Sequence, residues 1–153
     1  MSGPGFTVTG INTAGATAGM RKAVNVEIQK AVAKTGSALV LVVRALVSTG
    51  THRPGLNHIE GTGPGPNVAT GDYRRSIHMA LVKGQNVTVA DVSTNAVQAN
   101  RLEFGFIGRD SAGRYYRQPA YPHWAPAEPK AEEFAEKFFG EAADKIQEAF
   151  TNG

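Results

Sequence analysis

Residues 19–47 read GMRKAVNVEIQKAVAKTGSALVLVVRALV, and this stretch decides the fold. Met20, Val24, Ile28, Ala31 or Val32, Leu39, Val42 and Leu46 recur at three-, four- and seven-residue steps, the period of a helix. A continuous helix here would be roughly 43 Å long at 1.5 Å per residue. Its first half carries one apolar stripe. Its second half, Ala38 to Val43, is apolar almost all round and is expected to be covered on several sides. Gly36 is a weak point inside the pattern.

Outward from this helix the chain changes character. Upstream, Phe6-Thr7-Val8-Thr9 alternates apolar and polar before Gly10, a short strand. Residues 1–5 form a flexible start, and Asn12 to Gly19 is a linker rich in Gly, Ala and Thr. Downstream, residues 48–71 form a long loop with Gly50, Pro54, Gly55 and a Gly61–Pro66 run. Loops this long are usually functional or mobile, and in a ring-forming protein such a loop could reach a neighbour or line a channel.

Three strands are expected next, Tyr73–Val82, Asn86–Val92 and Val97–Phe104, with a tight turn at Lys83-Gly84-Gln85. On the second, Thr88, Ala90 and Val92 share one face. Residues 105–122 form a second long loop, and Trp124–Ala127 reads as a short last strand. The C-terminal helix runs from Pro129 to about Phe150, with Ala131, Phe134, Phe138, Ala142, Ile146 and Phe150 on one stripe. A stripe fully buried in the core would make Phe138→Ala cost about 3–5 kcal/mol. The expected fold is α+β in one domain, 1–153, a curved antiparallel sheet packed by the long helix and the C-terminal helix.

Composition narrows the functional classes. The 153 residues are 41% hydrophobic and 19% charged, ordinary for a globular chain. There is no Cys, which excludes disulfides, thiolate metal sites and a Cys nucleophile. Residues 1–101 hold 10 Lys/Arg against 4 Asp/Glu, a net of +6, and residues 102–153 hold 6 against 9, a net of −3. Such polarity suits stacking on copies or on a partner of opposite sign, or simple solubility. Met1 to Gly19 lacks a basic region followed by an apolar stretch, and the most apolar run, Ala38 to Val47, is about half a membrane span. The chain is expected to be soluble and made in a cytoplasm.

No catalytic constellation stands out. His52, His58, His78 and His123 have no zinc-site spacing. His52, His58 and Glu60 share a loop and read as polar loop residues that bind no metal. Ser76 and His78 would share a strand face, but no Asp or oxyanion site completes a triad. Gly61–Pro66 lacks Gly-Lys-Ser/Thr, and Pro64 and Pro66 have no N–H for a phosphate cradle. Asp91 and Glu103 read as solvent-facing strand residues. Arg109, Arg114, Tyr115, Tyr116 and Arg117, with Gly108 and Gly113, form a mobile basic-aromatic loop. That composition suits a protein interface first and nucleic-acid stacking second.

Three segments, in order, carry a resemblance. The first is Asn67-Val68-Ala69-Thr70-Gly71-Asp72-Tyr73-Arg74-Arg75-Ser76-Ile77, a Thr-Gly turn into a basic strand ending in Ser-Ile. The second is Ala99-Asn100-Arg101-Leu102-Glu103-Phe104-Gly105, with a Glu-Phe-Gly strand end. The third is Pro122-His123-Trp124-Ala125-Pro126-Ala127 before the acidic helix. Together they resemble the tail-completion and head–tail joining (neck, minor tail) proteins of long-tailed bacteriophages, over roughly Phe6 to Phe150. Phe106 stands where a small Thr is usual, and the loop before Pro122 is long and rich in Arg and Tyr.

The resemblance implies a structural virion protein, not an enzyme, with no cofactor. It implies a homo-oligomeric ring, commonly a hexamer, at the head-proximal end of the tail. The ring would meet the tail-tube protein and the head-side connector, with DNA only passing through its lumen, and would assemble in the host cytoplasm. Within this picture the assembly contact falls on Arg109, Arg114, Tyr115, Tyr116 and Arg117. The alternative is a nucleic-acid-binding module using the basic first part and the Arg/Tyr loop.

Overall fold

The computed structural model describes residues 4–9, 18–49, 71–84 and 87–151. The fold is α+β, with helices and two small antiparallel sheets. In chain order the elements begin with β1 (Phe6–Thr9), α1 (Ala18–Val47), α2 (Asp72–Ser76), β2 (His78–Lys83) and β3 (Thr88–Ser93). They continue with α3 (Ala99–Phe104), β4 (Phe106–Arg109), β5 (Tyr115–Gln118), a 3₁₀ turn (Ala125–Ala127) and α4 (Glu128–Thr151). The described residues group into two compact units, and α1 divides between them after Val40.

One unit spans Phe6–Val40, Met79–Val92 and Pro129–Gly153. Its sheet has the order β1-β3-β2, with Phe6 opposite Val92 and Thr9 opposite Val89. β3 alternates as its sequence demands: Thr88, Ala90 and Val92 are buried, Val89 and Asp91 half-buried. Ile28 and Val32 of α1 pack with Ala90, joined by Val24, Met79, Leu81 and Phe139. Gly36 has a positive purpose here. A Cβ on it would stand 2.9 Å from the Ala90 Cβ and nearer still to Met79, so the helix lies against the sheet only because that methyl is missing.

The stripe of α4 is shallower than expected. Ala142 is buried, while Ala131, Phe134, Phe138 and Ile146 are half-buried and Phe150 is exposed. Phe138 stacks on Phe134, and the Lys34 and Lys137 ammonium groups stand 5.4 and 5.5 Å from its ring centre. A ring with two solvent-reaching ammonium groups over it is not a core anchor.

The other unit comprises Met1–Gly5, Leu41–His78 and Ser93–Glu128. Val43 and Val47 of α1 and Ile77 are fully buried in it, and the Arg44 guanidinium donates to the Ile77 carbonyl at 2.7 Å. Leu41 is 67% exposed, so the apolar second half of α1 is not covered all round.

Four local expectations fail in this unit. Tyr73–Val82 is not one strand: α2 comes first, started by Gly71 at φ 82° and held by an Asp72–Arg75 pair one turn apart. Tyr73 and Ile77 are buried four residues apart, a spacing that strand alternation also satisfies. Val97–Phe104 is a turn and α3, burying Ala99 and Glu103 one turn apart while Val97 is 94% exposed. Trp124–Ala127 holds a 3₁₀ turn, for which Pro126 near its start is pre-set. The loop 105–122 contains the hairpin β4–β5.

Candidate functional site

The three sequence segments that carry the resemblance meet at one buried cluster. α2 supplies Tyr73, α3 supplies Glu103, and the stretch before the 3₁₀ turn supplies His123 and Trp124. The Tyr73 hydroxyl donates to His123 Nε2 at 2.5 Å and accepts from Trp124 Nε1 at 3.1 Å. His123 Nδ1–H points to the Tyr121 carbonyl at 2.8 Å, with Glu103 Oε2 at 3.2 Å. One tautomer of neutral imidazole, protonated at Nδ1, therefore satisfies every contact. Burial holds the His123 pKa below its ordinary value, against the Tyr121 carbonyl and the Glu103 charge. Its approach to Glu103 is thus a dipole facing a carboxylate and not an ion pair. Burial pushes Tyr73 up to about 12.

Glu103 closes the cluster from below. Oε2 accepts the backbone N–H of His123 at 2.8 Å and of Trp124 at 3.1 Å, and Oε1 accepts that of Ala125 at 3.0 Å. The carboxylate caps the entry to the 3₁₀ turn, where backbone donors have no partner of their own. The solvent-facing strand residue expected from sequence is therefore a buried helical cap. His123, with no exposed surface, and Glu103, at 5%, cannot meet a substrate. The cluster is a structural joint between three distant segments.

What it positions is the hairpin. Gly105, at φ 77°, turns the chain from α3 into β4, and a Cβ there would stand 2.9 Å from the Gln118 carbonyl. The register pairs Phe106 with Gln118, Ile107 with Arg117, Gly108 with Tyr116 and Arg109 with Tyr115. Cross-strand partners share a face. Phe106 and Tyr116 turn toward Arg101 of α3, whose guanidinium lies 4.5 and 5.1 Å from their ring centres. The opposite face carries Ile107, Arg109, Tyr115 and Arg117, all exposed, with Ile107 at 70% and Tyr115 at 63%. Phe104, at 73%, adds apolar surface just before the hairpin.

The five expected interface residues thus separate. Arg109, Tyr115 and Arg117 share the exposed face. Tyr116 faces Arg101, and Arg114 is taken by the turn. There Asp110 Oδ1 accepts the N–H groups of Ala112 and Arg114, each at 2.9 Å, and Oδ2 accepts Arg114 Nε at 2.8 Å. Burial pushes the Asp110 carboxyl up, but these donors outweigh it and hold its pKa below the ordinary range. The Arg109 guanidinium donates to the Gly113 carbonyl at 2.8 Å, and Gly113 takes the left-handed conformation at φ 78°. A turn bonded at so many points is a built tip, not the mobile loop read from its glycines.

The remaining candidates fall apart. His52, His58, Glu60 and the Gly61–Pro66 run lie outside the described residues. Ser76 Oγ bonds Thr94 Oγ1 at 2.6 Å, and His78 Nδ1 meets the Ser76 backbone carbonyl, so His78 does not activate the serine. Asp91 is half-buried on β3. Among the described residues no group of three His, Asp or Glu is placed to hold a metal, and no helix is long and apolar enough to cross a membrane. Sequence reasoning missed the Tyr73, Glu103, His123 and Trp124 cluster; the signal was present as the three motifs, but spacing along the chain does not reveal which motifs meet. The chain matches no family model, no curated protein and no solved structure.

Proposed function

We propose that the chain is a non-catalytic ring subunit at the head–tail junction of a long-tailed bacteriophage, a tail-terminator or tail-completion protein. One observation carries the reading: the three segments on which the resemblance rests converge on the cluster of Tyr73, Glu103, His123 and Trp124. The cluster offers no substrate access, and the hairpin it supports presents exposed apolar and Arg/Tyr surface, as an assembly contact requires. The ring would meet the tail tube and the head-side connector, with DNA passing through its lumen.

Nucleic-acid binding is the second reading, favoured by Arg109, Tyr115 and Arg117 on one exposed ribbon face. Ile107 and Phe104 beside them favour protein instead, since a phosphate backbone has no use for exposed aliphatic area. Replacing Ile107, Arg109, Tyr115 and Arg117 together with Ser tests the assembly reading. Tyr116 is left in place because it packs on Arg101. The variant is expected to melt near the wild-type temperature and to leave separate heads and tails. Normal yields of joined, infectious particles would refute it.

A further inference from the structure

We propose that the exposed β4–β5 face of one copy docks on the acidic face of α4 of the next copy. The inference rests on the ring reading above and supplies the contact by which such a ring would close. The hairpin face is apolar and cationic, with Ile107 and Tyr115 flanked by Arg109 and Arg117. Arg114 already bonds Asp110, whereas no carboxylate among the described residues pairs with Arg109 or Arg117.

α4 carries the complementary surface. Glu132, Glu136, Gly140, Ala143, Asp144 and Gln147 fall on one exposed side at helical spacing, and no Lys falls among them. In-chain lysines take Glu133 and Glu141, at 2.5 and 2.8 Å, while no described Lys or Arg pairs with Glu132, Glu136 or Asp144. Gly140 sits in the middle of this side, and a Cβ there would meet nothing within 4 Å. An exposed glycine inside a helix is unfavourable relative to Ala, and no contact among the described residues accounts for it.

The spacings agree. Arg109 and Arg117 stand on a diagonal of the ribbon, about 7–8 Å apart. Glu132 and Glu136 are one helical turn apart, about 6 Å along the axis. Exposed ion pairs add little affinity each, so Ile107 and Tyr115 supply the buried area and the charges fix register. Because the two surfaces differ, the contact is head-to-tail, the type that closes into a ring.

The test uses two charge-reversed full-length chains, Arg109→Glu with Arg117→Glu, and Glu132→Arg with Glu136→Arg. Their masses are read by sedimentation, alone and mixed in equal amounts. Wild type is expected as a multiple of the 16.2 kDa chain. Each reversed chain alone is expected at 16.2 kDa. The mixture is expected to regain a multimer in which the two chains alternate, since each then offers the other a matched surface. Reversed chains that keep the wild-type mass, or a mixture that stays monomeric, would overturn the docking while leaving the ring reading intact. Loss of binding to a DNA duplex with no change of mass would assign the hairpin face to nucleic acid and also overturn it. A wild-type chain monomeric at every concentration would overturn both.

Discussion

The Tyr73 hydroxyl sits 2.5 Å from His123 Nε2, and the imidazole can accept that bond only while neutral. His123 has no exposed surface, and Tyr73 is 9% exposed. An unfolded chain takes up a proton at His123 near its ordinary value of 6.5, whereas the folded chain does so only at lower pH. Protons therefore favour the unfolded chain, and stability falls as pH drops from about 6.5 toward the folded value. Tyr73 acts at the other end. Its proton leaves the unfolded chain near 10 and the folded chain at about 12, so stability falls again over that interval. Melting temperature against pH should show a plateau between these limits. His123→Gln should remove the slope just below pH 6.5; an unchanged slope would show that other groups produce it.

Glu103→Ala should be among the most damaging single changes. It strips the acceptor from the N–H groups of His123, Trp124 and Ala125. Each buried donor left unmade costs about 1–3 kcal/mol, so a loss of at least about 3 kcal/mol is expected by denaturant unfolding. Trp124 is the only tryptophan and is 3% exposed, which makes its fluorescence the readout. A midpoint within error of wild type would contradict the capping role.

Phe138→Ala should cost only about 1–2 kcal/mol, because the ring is only partly buried and keeps some contact with water. A cost of 3–5 kcal/mol, the range for fully buried rings, would mean that α4 packs more deeply than described above.

Two glycines should respond in opposite directions. Gly105→Ala forces a methyl to 2.9 Å from the Gln118 carbonyl in a left-handed backbone, so the melting temperature should fall. Gly140→Ala meets open space within a helix and should raise stability by about 0.5–1 kcal/mol. It should also weaken self-association if α4 receives the neighbouring hairpin. A variant that is more stable and still fully associated would argue against a close contact at Gly140.

The long elements were legible because they repeat their signal. Twenty-nine residues of helical period outlast any local ambiguity, and the observed α1 extends the expected helix by one residue. The alternation of Thr88, Ala90 and Val92 was equally plain. Short segments misled for a physical reason. Tyr73 with Ile77, and Ala99 with Glu103, lie four apart, where helix and strand periods coincide. The helical tendencies of Asp72–Arg75 and of Ala99–Glu103 then decide. Glu103 was read as solvent-facing because nothing along the chain announces a cap twenty residues away. At the hairpin the residue types read as interface-like, but the face each joins depends on a register that the Gly108 and Gly113 turn signals obscured.

The place of this chain in a particle is tested most directly by gold-labelled antibody against it on intact virions under the electron microscope. Label is expected at the junction of head and tail, and on the head-proximal end of tails detached from heads. Label along the tail shaft, on the head shell or at the far tip, or particles carrying none of the chain, would contradict it.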